Sequence, residues 1–449
     1  METYQDQAGA DEPSQGRQIR CPVVAHEAWK QRRLIQEALA KAGLASEVAG
    51  GLLELVCGIG LQAVQRLFED EVTECVGAKG KHNRDRQAVR HGYDDGEVTF
   101  GGRRLRLRKP RMRSADGQRE IALDTYRWAT ERDVLNRTTR NQLLAGVSTR
   151  RYARTLELVT AREAHRSRSV SKSSVSRRFI QLTRRSLDLL LERDLRDLKP
   201  VVLMIDGLSV DKQMLIAALV VDIDGRKHPV SLRQGATENQ RVVTDLLQDL
   251  VDRGLDTSHG ILVVIDGSKA LAAAVRRVFG DRALIQRCIE HKVRNVEDYL
   301  HKEERSWVSR TIRRALKRPD AELARRDLEA LARRLEETNI DAAKSLREGM
   351  DELLTIHRLA VGQFLARTLR STNAIESMNE IIRMLTRNVK HWKDGDMRQR
   401  WVAAAMLEAE GQFRRVQGWK ELPALARALY LATSTDPQHP SDQLTGVAA

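Results

Sequence analysis

Two hydrophobic runs, each ending in Ile-Asp-Gly, constrain this chain more than any other feature. They read VVLMIDG at 201–207 and LVVIDG at 262–267. Short runs rich in β-branched residues that stop at a turn dipeptide are typical of buried strands. Asp206 and Asp266 then stand at the carboxyl ends of two predicted strands, the edge of an open α/β sheet at which ligands bind. For either aspartate alone, a simple Asp-Gly turn is the stronger explanation.

The pair of aspartates predicts a metal site when a third acid joins it. Two carboxylates at one sheet edge repel each other unless a cation neutralises them, and Mg²⁺ prefers such hard oxygen ligands. Glu376, in STNAIESMN at 371–379, is the best third candidate. We place it in the first turn of a helix whose Ile375 and Met378 pack inward. The alternative is that Glu376 only completes a capping box with Thr372 or Asn373.

The order of predicted elements indicates the architecture. Strands and helices alternate from residue 200, which predicts an α/β catalytic domain with a mixed sheet flanked by helices. Residues 297–370 have helical periodicity and many charges, and we interpret them as an all-α insertion. The predicted regions are a disordered tail at 1–22, a mainly helical region with a basic β-hairpin at 23–115, a helix-turn-helix-like region at 116–199, the first part of the catalytic domain at 200–296, the insertion at 297–370, the completion of the catalytic domain at 371–432 and a disordered tail at 433–449.

Two N-terminal elements are predicted to bind DNA. VTFGGRRLRLRKPRMR at 98–113 combines a Gly-Gly turn with a strictly alternating basic strand face. A short helix, a turn at Gly146 and a second, serine-capped helix would suit a helix-turn-helix in the major groove. For both elements, a solvated basic surface is the alternative. The candidate contacts are Arg103, Arg104, Arg106, Arg108, Lys109, Arg111, Lys172, Ser174, Arg177 and Arg178.

Composition agrees with a polyanionic partner. The net charge is +15, which favours nucleic acid, whereas an aromatic content of 4% argues against a stacking platform for single strands. The four cysteines form no Cys-x-x-Cys pair, so neither a disulfide framework nor a zinc ribbon is expected. The N-terminal stretch is polar and lacks an apolar signal core, so we expect a cytoplasmic protein without a membrane span.

Four motifs together resemble one known family. DG at 206–207, IDGSKAL at 265–271, QRCIEHKVRN at 286–295 and TNAIESMNEIIR at 372–383 resemble, in order and spacing, the landmarks of Mutator-type bacterial insertion-sequence transposases. The resemblance implies a ribonuclease-H-like catalytic domain with an Asp–Asp–Glu triad. In this sequence the triad would be Asp206, Asp266 and Glu376, holding two Mg²⁺ or Mn²⁺ ions. Double-stranded DNA would be the substrate, and a homodimer would hold the two element ends.

The resemblance also assigns roles around the triad. Cys288 and His291 would support the active site without being catalytic, although a buried thiol and a surface histidine explain the pair almost as well. Lys292, Arg294 and Asn295 would contact phosphates, and Glu238 would be a further acid near the site. The family implies copy-out, paste-in movement.

Two other functions fit parts of the same pattern. Another ribonuclease-H-like nuclease, such as a resolvase, would share the acids, but the helical insertion and the N-terminal basic elements disfavour a minimal nuclease. A catalytically inactive DNA-binding regulator would share the basic elements, but the retention of all three acids argues against it.

Overall fold

The computed structural model describes residues 46–81, 88–100, 102–130, 132–156, 167–237 and 239–434. These residues divide into two compact units, one within 1–138 and 150–175 and the other within 139–149 and 176–449. The predicted tails, residues 23–45 and Glu238 lie outside the described residues, apart from residues 433 and 434 at the C-terminal side. Within the described ranges, no helix combines the length and apolar character needed to cross a bilayer.

The first unit is built on a three-stranded antiparallel sheet. The predicted hairpin is confirmed, and its strands extend well beyond the predicted segment. Phe68, Val72, Val98 and Met112 form the core between helix and sheet. The elements are α1 (Ser46–Val76), β1 (Ala88–Phe100), β2 (Arg103–Ser114), β3 (Glu120–Ile121) and α2 (Asp124–Ala129).

Among the described residues, the helical segments that lead to the second unit are α3 (Arg132–Leu144), a 3₁₀ turn (Tyr152–Thr155) and α4 (Lys172–Leu191). The stretch between α3 and α4 is far longer than the turn of three or four residues in a helix-turn-helix. Residues 157–166 of this stretch lie outside the described residues, so the helix-turn-helix predicted across Gly146 stays a prediction. The serine cap is confirmed, because the Ser171 hydroxyl accepts a hydrogen bond from the Ser174 N–H at 3.2 Å.

The second unit contains a five-stranded mixed sheet. Its strands are β4 (Pro200–Val210), β5 (Gln213–Asp222), β6 (Lys227–Gln234), β7 (Ile261–Ile265) and β8 (Ala283–Arg287), arranged in the order β6-β5-β4-β7-β8. β4, β5 and β6 pair antiparallel, whereas β4, β7 and β8 pair parallel. The predicted mixed sheet with helices on its faces is thus confirmed.

Both faces of this sheet are covered by helices. Alternate residues of a strand point to opposite faces, so Val202, Met204 and Leu208 of β4 share one core while Leu203 and Ile205 share the other. The second core contains α5 (Gln240–Asp252) and α6 (Lys269–Phe279). The first core contains α14 (Asn373–Thr386), α15 (Gly395–Glu410) and α16 (Leu422–Thr433).

The stretch between β8 and α14 is helical, as predicted. Leu300, Ile312, Leu328, Leu335 and Leu346 belong to a separate core. Leu365 and Leu369, near the end of the stretch, belong to the first core of the sheet. The helices are α7 (Ile289–Glu297), α8 (Lys302–Ala315), α9 (Ala321–Glu336), α10 (Ile340–Arg347), α11 (Met350–Leu353), α12 (Thr355–Arg358) and α13 (Gln363–Leu369).

Candidate active site

Three parallel strands bring chemically active side chains to one edge of the sheet. Asp266 directly follows β7, and Cys288 directly follows β8. β4 pairs with β7 at a constant offset of 60 residues, Met204 with Val264 (264 − 204 = 60). Asp206 and Asp266 continue this offset (266 − 206 = 60), so adjacent strands carry the two aspartates at corresponding positions.

The position of Asp206 within its strand differs from the prediction. β4 does not end at Asp206 but continues to Val210, because the antiparallel pairing with β5 extends beyond the last parallel pair at Met204. By the alternation of side chains, Asp206 shares the face of Met204 and Leu208, which α14 covers. The sheet therefore directs Asp206 towards the helix that carries Glu376.

Asp206 is buried, with 9% of its surface exposed, and accepts a hydrogen bond from Asn379 Nδ2 to its Oδ2 atom at 2.9 Å. Burial raises the pKa of Asp206 to about 6. The positive charge of His291 acts against this shift, whereas the negative charges of Asp266 and Glu376 add to it. The carboxylates are thus near enough to repel one another in the absence of a cation.

Glu376 lies in the first turn of α14, and Ile375 and Met378 are fully buried, as predicted. Thr372 is the N-cap, but its side chain makes no capping bond. Its hydroxyl instead donates to Glu376 Oε1 at 2.7 Å. The capping-box alternative is therefore wrong, and the Glu376 carboxylate, which is partly exposed, is free of a backbone-capping role.

Cys288 and His291 lie beside these acids. Cys288 is fully buried and occupies the N-cap position of α7 without a side-chain capping bond, and its Sγ atom is 3.4 Å from Thr372 Oγ1. Burial opposes ionisation of the thiol, but the interactions with His291 and Thr372 outweigh it and lower the pKa of Cys288. The thiol in turn raises the pKa of His291.

Two contacts of this site escaped the sequence interpretation. Asn379 lies three residues after Glu376, so it projects from the same side of α14 and reaches Asp206. The sequence indicates Thr372 only as a helix cap, yet its hydroxyl contacts both Cys288 and Glu376. The three-residue spacing of Glu376 and Asn379 indicates that both side chains lie on one side of the helix, and so could have predicted the contact of Asn379 with Asp206. No local pattern indicated the second.

The basic strand of the hairpin, β2, pairs with a strand that carries acidic residues, β1. Residues of β1 pair with basic residues of β2, in the pairs Asp94–Lys109, Asp95–Arg108 and Glu97–Arg106. Arg104 also lies 3.6 Å from Glu97, and Arg111 makes a bidentate bond with Glu120 at 2.8 and 2.9 Å. Arg103 is buried, with 7% exposure, which corrects its prediction as a phosphate contact. The remaining hairpin cations are partly neutralised within the first unit.

The other predicted DNA contacts have different environments. Lys172 and Arg177 of α4 are exposed, whereas Arg178 donates to Thr139 Oγ1 at 3.1 Å. Ser174 accepts a hydrogen bond from Ser171 Oγ at 2.9 Å.

On α7, Arg294 and Asn295 are exposed, but Lys292 is buried, with 2% exposure. Its ammonium group donates to the carbonyl oxygens of Ser345 and Glu348 at 2.5 and 2.8 Å. The prediction that Lys292 contacts phosphate is therefore wrong, because this amine holds the helical segment together.

Comparison with known proteins identifies the class of protein. A profile of the family described as "Transposase, Mutator family" matches residues 34–416, most of the chain. The chain belongs to this family and is thus a transposase, an enzyme class that cuts and joins DNA. This confirms the resemblance predicted from the four motifs.

Individual relatives are insertion-sequence transposases. The transposase for insertion sequence element ISRM5 of Rhizobium meliloti (strain 1021) is 27% identical over 355 residues, which cover 77% of this chain and 85% of that protein. The transposase for insertion sequence element IS256 in transposon Tn4001 of Staphylococcus aureus is 26% identical over 363 residues, covering 78% and 88%. The transposase for insertion sequence element IS6120 of Mycolicibacterium smegmatis is 29% identical over 204 residues, covering 44% and 62%.

Proposed function

We propose that this transposase cleaves and joins DNA strands at a carboxylate triad of Asp206, Asp266 and Glu376. The observation that carries the proposal is the convergence of the three acids: Asn379, on the helix of Glu376, hydrogen-bonds buried Asp206 at 2.9 Å, and Asp206 and Asp266 lie on adjacent parallel strands at corresponding positions. The charges of Asp266 and Glu376 also raise the pKa of Asp206. Acids grouped at a strand edge are costly to keep ionised without a cation. Such a grouping is typical of a functional site.

The donor set fits two Mg²⁺ or Mn²⁺ ions. All three groups offer hard carboxylate oxygens, the ligands that these ions prefer. When bound, such a pair of cations supplies charge stabilisation for the attacking and leaving oxygens of a phosphodiester displacement. Asn379 donates to one oxygen of Asp206 and Thr372 donates to one oxygen of Glu376, which orients both carboxylates.

The topology supports a ribonuclease-H-like assignment for the second unit. Three antiparallel strands precede two parallel ones in the order β6-β5-β4-β7-β8. The helices from α8 to α11 lie between β8 and α14 in sequence and contribute to a core apart from the sheet, which supports an insertion within the predicted range 297–370. Leu365 and Leu369 of α13 belong to the first core of the sheet instead. The regions 200–296 and 371–432 would then form one catalytic domain.

The reaction would proceed in two displacements. Water attacks a phosphodiester at the element end, and the broken bond releases a 3′-hydroxyl. That hydroxyl attacks a second phosphodiester, forming one bond and breaking another without a net loss of phosphodiester bonds. No covalent enzyme–DNA intermediate is needed, so no serine or tyrosine nucleophile is assigned.

DNA would be held mainly through phosphate contacts of exposed cations. Arg106, Arg108, Lys172, Arg177 and Arg294 are the exposed basic side chains among our candidates. Lysine and arginine contacts of this kind make the affinity fall with rising salt. Two ends of an element must be joined in one event, so a homodimer is the proposed form.

The test is cleavage of labelled element-end DNA in Mg²⁺ by wild type and by Asp206→Asn, Asp266→Asn and Glu376→Gln. Each substitution is expected to abolish cleavage while DNA binding persists. Glu380→Gln is the matched control, because Glu380 is an exposed acid on the same helix, and it should cleave normally. Intact cleavage by all three triad variants would refute the proposal. If the wild-type protein binds the DNA but cleaves it with none of the divalent metals tested, the alternative of a catalytically inactive DNA-binding regulator is favoured.

A further inference from the structure

A ligand set of a different chemistry lies next to the carboxylates. One ligand atom from each of Cys288, His291 and Glu376 lies within 4.8 Å of the other two. Sulfur, imidazole nitrogen and carboxylate oxygen are ligands of zinc, whereas Mg²⁺ takes oxygen ligands almost alone. The three residues thus differ from the aspartates in the metal that they select.

We propose that Cys288, His291 and Glu376 bind a thiophilic divalent cation, with zinc as the chemical type, in a three-ligand site that shares Glu376 with the carboxylate triad. A site with three protein ligands keeps a fourth position for water. The cysteine enters as thiolate, so metal binding releases its proton to solvent.

The geometry needs only small adjustments. Zinc bonds of about 2.3 Å to sulfur and about 2.0–2.2 Å to nitrogen and oxygen require ligand atoms roughly 3.3–3.7 Å apart in a tetrahedron. The ligand atoms lie within 4.8 Å of one another, so contraction by up to about 1.5 Å suffices. The backbone N–H of Cys288 bonds the Ile265 carbonyl at 2.8 Å, which anchors the cysteine. His291 and Glu376 are only partly buried, so their side chains supply the movement and leave an entry path.

Two independent observations point to a ligand at this position. The Nδ1 atom of His291 is buried and has no hydrogen-bond partner among the described residues, an arrangement that native proteins rarely leave without a cause. Thr372, itself fully buried, places its hydroxyl within hydrogen-bond distance of both Cys288 Sγ and Glu376 Oε1. One side chain thus holds two of the three ligands together.

Because both metal sites use Glu376, zinc bound at Cys288 and His291 competes with Mg²⁺ bound at the aspartates. A Glu376 carboxylate drawn to zinc beside Cys288 is withdrawn from Asp206 and Asp266. Zinc is therefore expected to inhibit Mg²⁺-dependent cleavage, and removal of zinc by a chelator to restore it. This consequence rests on the proposed function, whereas metal binding by the cluster does not.

Cobalt titration of the full-length protein tests the binding directly, because a thiolate ligand gives Co²⁺ a charge-transfer absorption in the near ultraviolet. Wild type and Cys75→Ser, which removes an exposed free cysteine, are expected to show the band. Cys288→Ser should lose it, and His291→Ala should bind more than about 100-fold more weakly, beyond the effect of an outer-shell substitution. A band that persists in Cys288→Ser, or its absence from wild type, overturns the proposal.

A second arm separates this proposal from the proposed function. Asp206→Asn removes a triad acid that is not a ligand of the cluster, so it should keep the cobalt band while losing cleavage. If Asp206→Asn cleaves normally and keeps the band, the triad fails and the thiophilic site stands. His291→Ala changes a half-buried position, so it tests the site even if the fully buried Cys288→Ser fails to fold.

Discussion

Replacement of Asp206 by asparagine is expected to stabilise the metal-free protein while abolishing cleavage. The ordinary aspartate pKa of 3.8 rises to about 6 in the folded chain, chiefly through burial. The folded state therefore holds the proton more tightly than the unfolded state. Ionisation at neutral pH then costs folding free energy, about 3 kcal/mol for a difference of roughly two pKa units.

The pH dependence follows from the same shift. A raised carboxyl pKa means that stability falls as pH rises from about 4 to about 6, and that the full penalty applies above this window. Asparagine keeps the hydrogen bond from Asn379 but carries no charge. The gain of Asp206→Asn over wild type should thus approach 3 kcal/mol near pH 7.5 and vanish near pH 4.

Urea unfolding of the metal-free protein, followed by tryptophan fluorescence at several pH values, measures this difference. Asp266→Asn is the matched control, because Asp266 is only partly buried and accepts the Ser268 N–H at 2.8 Å. It should lose cleavage with a much smaller pH-dependent gain, because it removes only the minor contribution of its charge to the raised pKa of Asp206. Equal stability of wild type and Asp206→Asn at pH 7.5, or a gain that does not change with pH, would refute the reasoning.

Four further perturbations are expected to have measurable outcomes. The hydrogen bond to Glu410 raises the pKa of His228, so His228→Gln should lower stability below about pH 6.5 and have less effect as pH rises through the raised value; unfolding at two pH values checks this. Lys292→Met should cost on the order of 1–3 kcal/mol, because two buried carbonyls lose their donor, without changing DNA affinity. Arg294→Ala should instead leave stability unchanged and reduce the salt slope of DNA binding by about 1. Glu97→Gln frees two hairpin arginines and should tighten DNA binding at low salt if the hairpin contacts DNA.

The sequence by itself determined the elements and their order. Hydrophobic runs indicated β4 and β7, and helical periodicity indicated α14 with Ile375 and Met378 inward. Such patterns can be recognised in the sequence because the spacing of buried residues along a strand or helix follows from the geometry of that element alone. The four motifs also sufficed to predict the family.

Only the tertiary structure decided what each polar side chain meets. The charge of Lys292 marked it as a surface residue, yet the helical segment folds over it and supplies two carbonyl acceptors. The alternating arginines of β2 predicted one basic face, yet pairing with β1 set acids against them. The contacts of Asn379 with Asp206 and of Thr372 with Cys288 join residues far apart in the chain. A local sequence pattern shows which face of a strand or helix is buried. Which side chains pack against that face depends on strand register and helix docking, which are long-range properties.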